Sequence, residues 1–141
     1  MDPRNSVFLD TSYLCSLYNS ADSNYSLAQT ISQTLTNPQV QLVISNYIFL
    51  ETVTVISQRT SKKFGIRIGN RLQKTPQITN IHINANLHQQ TWKVFTKAED
   101  KNLSFVDASI IATMLAEGIK HLITFDQHLA TIARSHRLKV N

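Results

Sequence analysis

Val7-Phe8-Leu9-Asp10-Thr11-Ser12 is a short apolar run that stops on a carboxylate, and this stretch decides the fold. The run is too short for a helix and is apolar on both faces, which indicates a buried strand over residues 6–9. The apolar residues that follow at helical spacing are Tyr13, Leu14, Leu17 and Tyr18. The stretch is therefore a strand-turn-helix unit, and ligand groups in open α/β sheets sit just past the carboxyl ends of strands.

The same pattern, an apolar run ending on an acid, occurs at three other places. These are Ile48-Phe49-Leu50-Glu51, Ser104-Phe105-Val106-Asp107 and Ile123-Thr124-Phe125-Asp126. The chain has only nine Asp and Glu residues, and an acid in apolar surroundings is costly to bury unless it is paired or bound to a metal. We therefore expect four acids to meet at one site and to hold a divalent cation there: Asp10, Glu51, Asp107 and Asp126.

Three of these acids also have a purely structural explanation. Asp10 stands where a helix N-cap belongs, and position alone leaves the cap and the ligand equally supported. Ser104 and Asp107 have the spacing of a capping box, which explains Asp107 without any ligand. Glu51 lies in the second turn of a helix, too far in for a cap, so its alternative is a solvated surface side chain.

Strands and helices alternate along the whole sequence. Periodicity predicts strands over residues 6–9, 41–45, 78–83, 120–125 and 138–140. It predicts helices around 13–18 and over 26–35, 47–59, 61–75, 84–100, 104–118 and 127–135. Such alternation predicts a single α/β domain over residues 1–141, a three-layer α/β/α arrangement with a mostly parallel sheet of about five strands.

Length and composition exclude several classes of protein. A chain of 141 residues, of which 42% are apolar, is sized for one domain with a real core. The single Cys15 excludes an internal disulfide and fits a cytoplasmic protein. The first apolar run breaks at Asp10, so we expect no signal peptide, and no apolar run approaches the roughly eighteen residues of a membrane span.

Positive charge is concentrated in one part of the sequence. The net charge is +5, and no acid occurs between Glu51 and Glu99. If residues 47–75 formed one continuous helix, four bases would form a stripe at four-residue spacing: Arg59, Lys63, Arg67 and Arg71. A solvated face is the commoner explanation of such a stripe, but the lack of any compensating acid gives RNA or another acidic partner equal weight.

A site made only of carboxylates selects a hard cation. Crowded carboxylates repel each other unless a cation intervenes, and oxygen ligands favour Mg²⁺ or Mn²⁺ over Zn²⁺. Such an ion can lower the pKa of a water molecule and offset charge on a phosphodiester. A covalent route has little support, because neither Cys15 nor Ser12 has a recognisable base partner and the few Gly residues form no phosphate loop.

Together, the four motifs resemble those of the PIN-domain ribonucleases, most closely the toxin subunits of bacterial VapBC toxin–antitoxin pairs. The matching segments are residues 7–12, 49–52, 100–108 and 123–126, in order and across nearly the full chain. The resemblance implies a parallel five-stranded sheet with the carboxylates converging at the strand ends. It also implies dependence on Mg²⁺ or Mn²⁺ and hydrolysis of RNA.

The resemblance further implies roles for individual residues. Asp10 and Asp107 look like the primary metal ligands, and Glu51 and Asp126 would complete the site. The hydroxyl-bearing residues that would support it are Thr11, Ser12 and Thr124. The partner implied by the resemblance is a small antitoxin protein or a second copy of the chain.

Other functions remain open from the sequence. A housekeeping PIN nuclease in RNA processing would carry the same acids. A non-catalytic RNA- or protein-binding module would use the basic stripe, and its acids would be helix caps. A phosphatase or a DNA nuclease could use the same metal chemistry, because such a site selects phosphate and metal rather than the sugar.

Overall fold

A computed structural model describes all 141 residues and contains one five-stranded sheet. The strands are β1 (Ser6–Leu9), β2 (Gln41–Ser45), β3 (Ile78–Ile81), β4 (His121–Ile123) and β5 (Lys139–Val140). Their order in the sheet is β3-β2-β1-β4-β5, and every pairing is parallel. The first strand of the chain is thus the central strand of the sheet, and Asp10 stands at the middle of the carboxyl edge.

Seven α-helices connect and cover the strands, since parallel neighbours need long crossover connections. They are α1 (Thr11–Leu17), α2 (Tyr25–Thr34), α3 (Asn46–Arg59), α4 (Lys62–Lys74), α5 (Ala85–Lys97), α6 (Phe105–Glu117) and α7 (Gln127–Ser135). A short 3₁₀ turn, Pro3–Asn5, precedes β1. The predicted three-layer α/β/α fold with a parallel sheet is confirmed. None of the helices combines the length and apolar character that a membrane crossing requires.

The core lies where the central strands meet the helices. Phe8 of β1 and Ile44 of β2 are fully buried, as are Ile110 and Ile111 of α6. α6 is buried nearly all round, which fits its continuous apolar sequence. It ends at Gly118, whose φ of 73° is the left-handed conformation that favours glycine at a helix C-cap. The helix that carries Asp107 is therefore held rigidly.

α3 and α4 are two helices rather than one. Thr60 has non-helical dihedral angles, and the Ser61 hydroxyl accepts a hydrogen bond from the Phe64 amide as the N-cap of α4. The two helices then pack closely through Gly65, where an added Cβ would lie 1.9 Å from Ser57 Oγ. The condition for one continuous basic stripe is therefore not met, because Arg59 ends α3 and the other three bases belong to α4.

Three strands are shorter than predicted: β5 begins at Lys139 rather than residue 138, and β3 and β4 end early where backbone amides bond to side chains instead of a neighbouring strand. β3 ends at Ile81 rather than residue 83, and the Ile83 amide donates to Asn46 Oδ1 at 2.8 Å. β4 ends at Ile123 rather than residue 125, and the Thr124 amide donates to Asn141 Oδ1 at 2.8 Å. The backbone after β4 thereby leaves the sheet where the candidate site begins.

Candidate active site

Asp10 caps α1 at the carboxyl end of the central strand, and its carboxylate is buried. Oδ1 accepts a hydrogen bond from the Thr11 amide at 2.8 Å. Oδ2 accepts two more, from the Ser12 and Thr124 hydroxyls, both at 2.7 Å. The cap that the sequence suggested is present, yet two further hydroxyl donors, the nearby Ser12 and the long-range Thr124, exceed what capping requires. The carboxylate is fixed in place by three donors.

Ser12 and Thr124 tie the ends of β1 and β4 together. Their hydroxyl oxygens lie 3.2 Å apart. Ser12 Oγ also accepts from the Phe125 amide at 3.0 Å, and Thr124 Oγ1 accepts from the Asp126 amide at 3.0 Å. The positions of Asp10 and Asp126 are therefore coupled through two hydroxyls. All three residues predicted to support the site therefore contact the Asp10 carboxylate, Ser12 and Thr124 through their hydroxyls and Thr11 through its amide.

Asp107 lies in the first turn of α6 and is buried. The capping box is present in full: the Asp107 amide donates to Ser104 Oγ, and the Ser104 amide donates to Asp107 Oδ2, each at 3.0 Å. Oδ1 receives no hydrogen bond from the protein. The cap orients one oxygen toward the backbone and leaves the other free to act as a ligand, so the two explanations of Asp107 are compatible.

Asp126 and Glu51 are held less tightly. Asp126 Oδ1 caps α7 by accepting from the His128 amide at 2.9 Å and the Leu129 amide at 3.2 Å, and Oδ2 is left without a donor. Glu51 is half-buried in the second turn of α3, and its carboxylate makes no hydrogen bond or ion pair. Three of the four acids thus keep at least one oxygen available for a ligand.

All four acids line one cleft of about 540 Å³ at the carboxyl edge of the sheet. Glu51 reaches it from α3, together with Val55 and Arg59 at successive four-residue steps. Convergence is the condition that the four-acid hypothesis had to meet, and the structure brings these residues together. The acids come from four parts of the chain: Asp10, Glu51, Asp107 and Asp126.

The electrostatics of the cleft show that the carboxylates are crowded. Burial raises the pKa of Asp10 above its ordinary range, and the nearby Glu51 carboxylate adds to the effect, while hydrogen bonds from Ser12 and Thr124 oppose it. Burial, together with Asp10 and Asp126, raises the pKa of Asp107 to about 6. Burial and, to a smaller extent, the neighbouring carboxylates disfavour both ionised forms, which is the situation that a cation relieves.

The donor set of the cleft fits a hard divalent cation such as Mg²⁺ or Mn²⁺. Every candidate ligand is an oxygen atom. Thr11 also lines the cleft, and its hydroxyl is buried without any hydrogen-bond partner. No three Asp, Glu, His or Cys side chains already surround a common point as a metal cage would. Binding would therefore require the less constrained Glu51 and Asp126 to turn inward.

Neither covalent candidate is activated. Burial, opposed by Arg59 and reinforced by the surrounding carboxylates, raises the pKa of the Cys15 thiol to about 11, which disfavours the thiolate. The Ser12 hydroxyl donates to Asp10, and no histidine lines the cleft. The site therefore lacks the paired nucleophile and base of a covalent mechanism.

The four predicted RNA-binding bases occupy two different places. Arg59 lines the cleft and is the only Lys, Arg or His that does so. Lys63, Arg67 and Arg71 are exposed on α4, and the Arg71 guanidinium lies 5.9 Å from the centre of the Tyr18 ring. One positive charge is thus inside the site and three lie on a neighbouring helix.

The sequence gives no clear signal for two further cleft residues, Asp22 and Asn102. Asp22 Oδ1 accepts hydrogen bonds from the Ser16 hydroxyl at 2.9 Å and the Asn24 amide at 2.8 Å. It lies in a polar segment typical of a turn, so nothing local distinguishes it from an ordinary loop acid. Asn102 is likewise in a polar loop, and only the fold carries it to the cleft.

The sequence of this chain is similar to that of a known protein. The chain is 28% identical over 121 residues to the 23S rRNA-specific endonuclease VapC20 of Mycobacterium tuberculosis strains CDC 1551 / Oshkosh and ATCC 25618 / H37Rv, which covers 85% of this chain and 88% of that protein.

Two solved structures share its fold. One is the crystal structure of VapC20 from Mycobacterium tuberculosis, a sarcin-ricin loop cleaving toxin, with a TM-score of 0.81, 24% identity and coverage of 89% of this chain and 94% of that one. The other is VapBC2 from Rickettsia felis bound to a DNA fragment from their promoter, with a TM-score of 0.66, 17% identity and coverage of 96% and 97%.

A family match settles the relationship that the motifs suggested. Residues 7–135 match the PIN domain, a range that runs from β1 to the end of α7. It includes all four acids, the supporting hydroxyls and the whole of the cleft lining. The chain therefore belongs to the PIN domain family.

Proposed function

We propose that this protein is a metal-dependent endoribonuclease, the toxin of a type II toxin–antitoxin pair, that hydrolyses RNA phosphodiester bonds with Mg²⁺ or Mn²⁺. The observation that carries the proposal is the convergence of four acids from separate parts of the chain on one cleft. Helix caps alone would not require the four carboxylates to face a common space. Burial, reinforced by neighbouring carboxylates, disfavours the ionised forms of Asp10 and Asp107 at a cost to the fold, and a bound cation offsets that cost.

Each acid has a distinct part in this proposal. Asp10 and Asp107 are the primary ligands, because both are buried and held by hydrogen bonds before any ion arrives. Glu51 and Asp126 complete the site with their free oxygens. A divalent ion held there would supply charge neutralisation for the phosphodiester and a more acidic water. The Ser12 and Thr124 hydroxyls and the Thr11 amide keep Asp10 oriented.

The basic residues hold the RNA backbone in this proposal. Arg59 stands inside the cleft among the acids, where it would contact a phosphate near the one being cleaved. Lys63, Arg67 and Arg71 on α4 would contact phosphates farther along the strand. The affinity contributed by such contacts is insensitive to sequence and weakens with salt.

RNA as the substrate and an antitoxin as the partner are supported by the relatives. VapC20 is described as a 23S rRNA-specific endonuclease and as a sarcin-ricin loop cleaving toxin, and the second structure is described as VapBC2 bound to a DNA fragment from their promoter. We propose the same substrate class and a small antitoxin protein as the partner here, with self-association as a further expectation. A reading frame for a small protein beside this one, whose product binds it, would support the partner.

The decisive experiment is RNA cleavage by purified protein with Mg²⁺ or Mn²⁺, with and without a chelator. We expect cleavage that the chelator abolishes, and a loss of more than roughly 100-fold in Asp10→Asn, beyond the range typical of outer-shell substitutions. The matched control is Asp2→Asn, an acid outside the cleft, which should keep full activity. Cleavage that survives the chelator, or full activity in Asp10→Asn, would end the metal mechanism. Binding of RNA with no cleavage of any RNA would identify a non-catalytic module instead.

A further inference from the structure

The outer face of α5 carries the only tryptophan of the chain, and it is 56% exposed. Trp92 lines a hollow of about 440 Å³ together with His88, Gln89 and Lys93. These residues are spaced so that they share one face of the helix. A single exposed apolar side chain needs no explanation, but an aromatic ring grouped with an amide, an imidazole and an ammonium is a chemically specific set. We name these four residues the α5 platform.

The α5 platform adjoins the active-site cleft through a row of aromatic contacts. The Trp92 ring stacks on Phe95, with centroids 6.0 Å apart and an interplanar angle of 28°. Phe95 meets Phe105 edge to face at 5.7 Å, and the His88 ring lies 5.4 Å from Phe105. Phe105 directly follows Ser104, which lines the cleft. A strand of nucleic acid leaving the cleft on this side would therefore meet the platform.

Charge favours an anionic occupant over a second copy of the chain. α5 contains no acid, and Lys93 and Lys97 are both exposed. A symmetric contact between two copies would place the same positively charged face against itself, which opposes association. An RNA strand satisfies both features of the surface, because its bases stack on aromatic rings and its phosphates pair with lysines.

We propose that the α5 platform is a second RNA-contact site, on which an unpaired nucleobase of the substrate stacks against Trp92. Lys93 contacts the adjoining phosphate, and the Gln89 amide faces the edge of the base. The proposal rests on RNA being the substrate, as argued above, but it does not depend on how the cleft cuts it. The ligand class is single-stranded or looped RNA, because a base inside a duplex cannot present its face to the indole.

Because Trp92 is the sole tryptophan, its fluorescence reports on this site alone. The wild-type protein, kept in chelator so that RNA stays intact, is titrated with an unstructured RNA oligonucleotide and with a fully paired RNA duplex of the same length. We expect saturable quenching by the single strand and protection of Trp92 from acrylamide, with little effect of the duplex. Equal responses to both RNAs, or no response to either, would overturn base stacking at the platform.

Substitutions then separate stacking from folding. Trp92→Leu should raise KM for RNA cleavage roughly tenfold while kcat stays near wild type, since loss of one stacked base costs about that much affinity. Trp92→Phe should recover most of the loss. Leu27→Ala, at an exposed apolar position on α2, is the control and should leave KM unchanged.

The failure of this proposal is distinguishable from failure of the nuclease. Chelator-sensitive cleavage combined with an unchanged KM in Trp92→Leu would overturn the proposal that the α5 platform contacts RNA and would leave the proposed nuclease activity standing. Quenching by single-stranded RNA without cleavage under any condition would support RNA binding at the α5 platform and would overturn the proposed nuclease activity. Light scattering that shows Trp92→Leu converting a dimer into a monomer, with no quenching by RNA, would identify the face as a contact between copies and overturn the proposal.

Discussion

At the scale of single residues, Asp107 shows how a structural and a functional role can share one side chain. One of its oxygens closes the capping box with Ser104, and the other is free in the cleft. A carboxylate that served only as a cap would be equally stable at a solvent-exposed helix end. Instead it is buried, and burial together with Asp10 and Asp126 disfavours its ionised form.

We predict that Asp107→Asn stabilises the metal-free protein while it destroys activity. The pKa of Asp107 is raised from 3.8 to about 6 in the folded state, so the ionised form weakens the fold. That penalty is absent below about pH 4, grows as pH rises toward 6 and stays constant above it. The asparagine has no charge to bury and can still accept from the Ser104 amide. In chelator near neutral pH, its free energy of unfolding should exceed wild type by about 1 kcal/mol, a value discounted for solvent screening at the cleft.

Denaturant unfolding of the two proteins from acid to neutral pH measures this difference. The wild-type and Asp107→Asn curves should coincide near pH 4 and separate as pH rises through about 6. Ser104→Ala is the matched control, because it removes the cap and should cost about 1 kcal/mol at every pH. An Asp107→Asn variant less stable than wild type at neutral pH in chelator would contradict this account.

Thr124 provides a test of positioning that leaves the acids in place. Its hydroxyl donates to Asp10 and accepts from the Asp126 amide. Thr124→Val removes both hydrogen bonds, so both carboxylates should be held less precisely in position. We expect kcat to fall by 10- to 100-fold, the usual cost of losing a partner that orients a metal ligand. Thr124→Ser retains the hydroxyl and should recover most of the activity, measured as initial cleavage rates at saturating RNA. Equal activities of the valine and serine variants would show that the hydroxyl has no orienting role.

At the scale of elements, α3, which carries Glu51 and Arg59 to the cleft, packs closely against α4. The two helices approach where α4 has glycine, and a Cβ on Gly65 would come within 1.9 Å of Ser57 Oγ and 3.0 Å of Ser57 Cβ. At Gly69 the nearest atom, Val53 Cγ2, would be 3.2 Å away. In a helix interior without such a neighbour, replacing glycine with alanine would stabilise the helix by roughly 1 kcal/mol.

We predict that Gly65→Ala destabilises the protein in spite of the better helix propensity of alanine. The added methyl group would force α4 away from α3, at a cost of about 1–3 kcal/mol. Gly69→Ala is the matched control and should cost less, because its contact is longer and involves the end of a valine side chain. Thermal unfolding of both variants in chelator makes the comparison. A Gly65→Ala protein more stable than wild type would mean that the helices are not in close contact there.

The positive charges on α4 should contribute to RNA binding but not to the cleavage step. Lys63 and Arg67 are exposed and lie outside the cleft. Replacing both with alanine should raise KM, leave kcat unchanged and reduce the salt dependence of binding by roughly one to two units of slope. Lys120→Ala is the control, because Lys120 precedes β4 and so stands at the amino edge of the sheet, away from the cleft. An unchanged salt slope in the double variant would show that α4 does not contact RNA.

At the scale of the whole molecule, the all-parallel sheet gathers the carboxyl ends of its strands along one edge. The central position of β1 puts Asp10 beside the ends of both neighbouring strands, β2 and β4. Helices that follow β2 and β4 then present Glu51 and Asp126 to the same space. The gathering of these acids in one cleft is thus a product of topology.

We predict that Mn²⁺ or Mg²⁺ raises the melting temperature of the protein. An ion that binds only the folded state, at about 100 times its Kd, adds roughly 2.7 kcal/mol to the free energy of unfolding. The shift should be largely lost in Asp10→Asn and kept in Asp2→Asn, whose altered residue lies outside the cleft. Differential scanning calorimetry with and without each ion measures the effect. An equal shift in Asp10→Asn would place the ion elsewhere on the protein.

Much of this architecture follows from local sequence patterns. The bounds of β1, β2 and α7 agree with prediction, as does the capping box of α6. The reason is physical: hydrophobic periodicity, caps and breakers act over a few residues, and those interactions are written directly in the sequence. The same patterns marked four acids as misplaced in apolar surroundings, because burying an unpaired carboxylate costs free energy whatever the fold.

Only the tertiary structure decided how those local pieces combine. The strand order, the Ser12–Thr124 link across 112 positions of the chain and the presence of Asp22 in the cleft have no local signature. The helix break at Thr60 and the close contact at Gly65, which separate Arg59 from the three bases of α4, have none either. The sequence by itself determined which acids need a partner and which elements carry them. Whether they face one another was decided by the parallel sheet, because only long-range packing sets the distance between residues far apart in the chain.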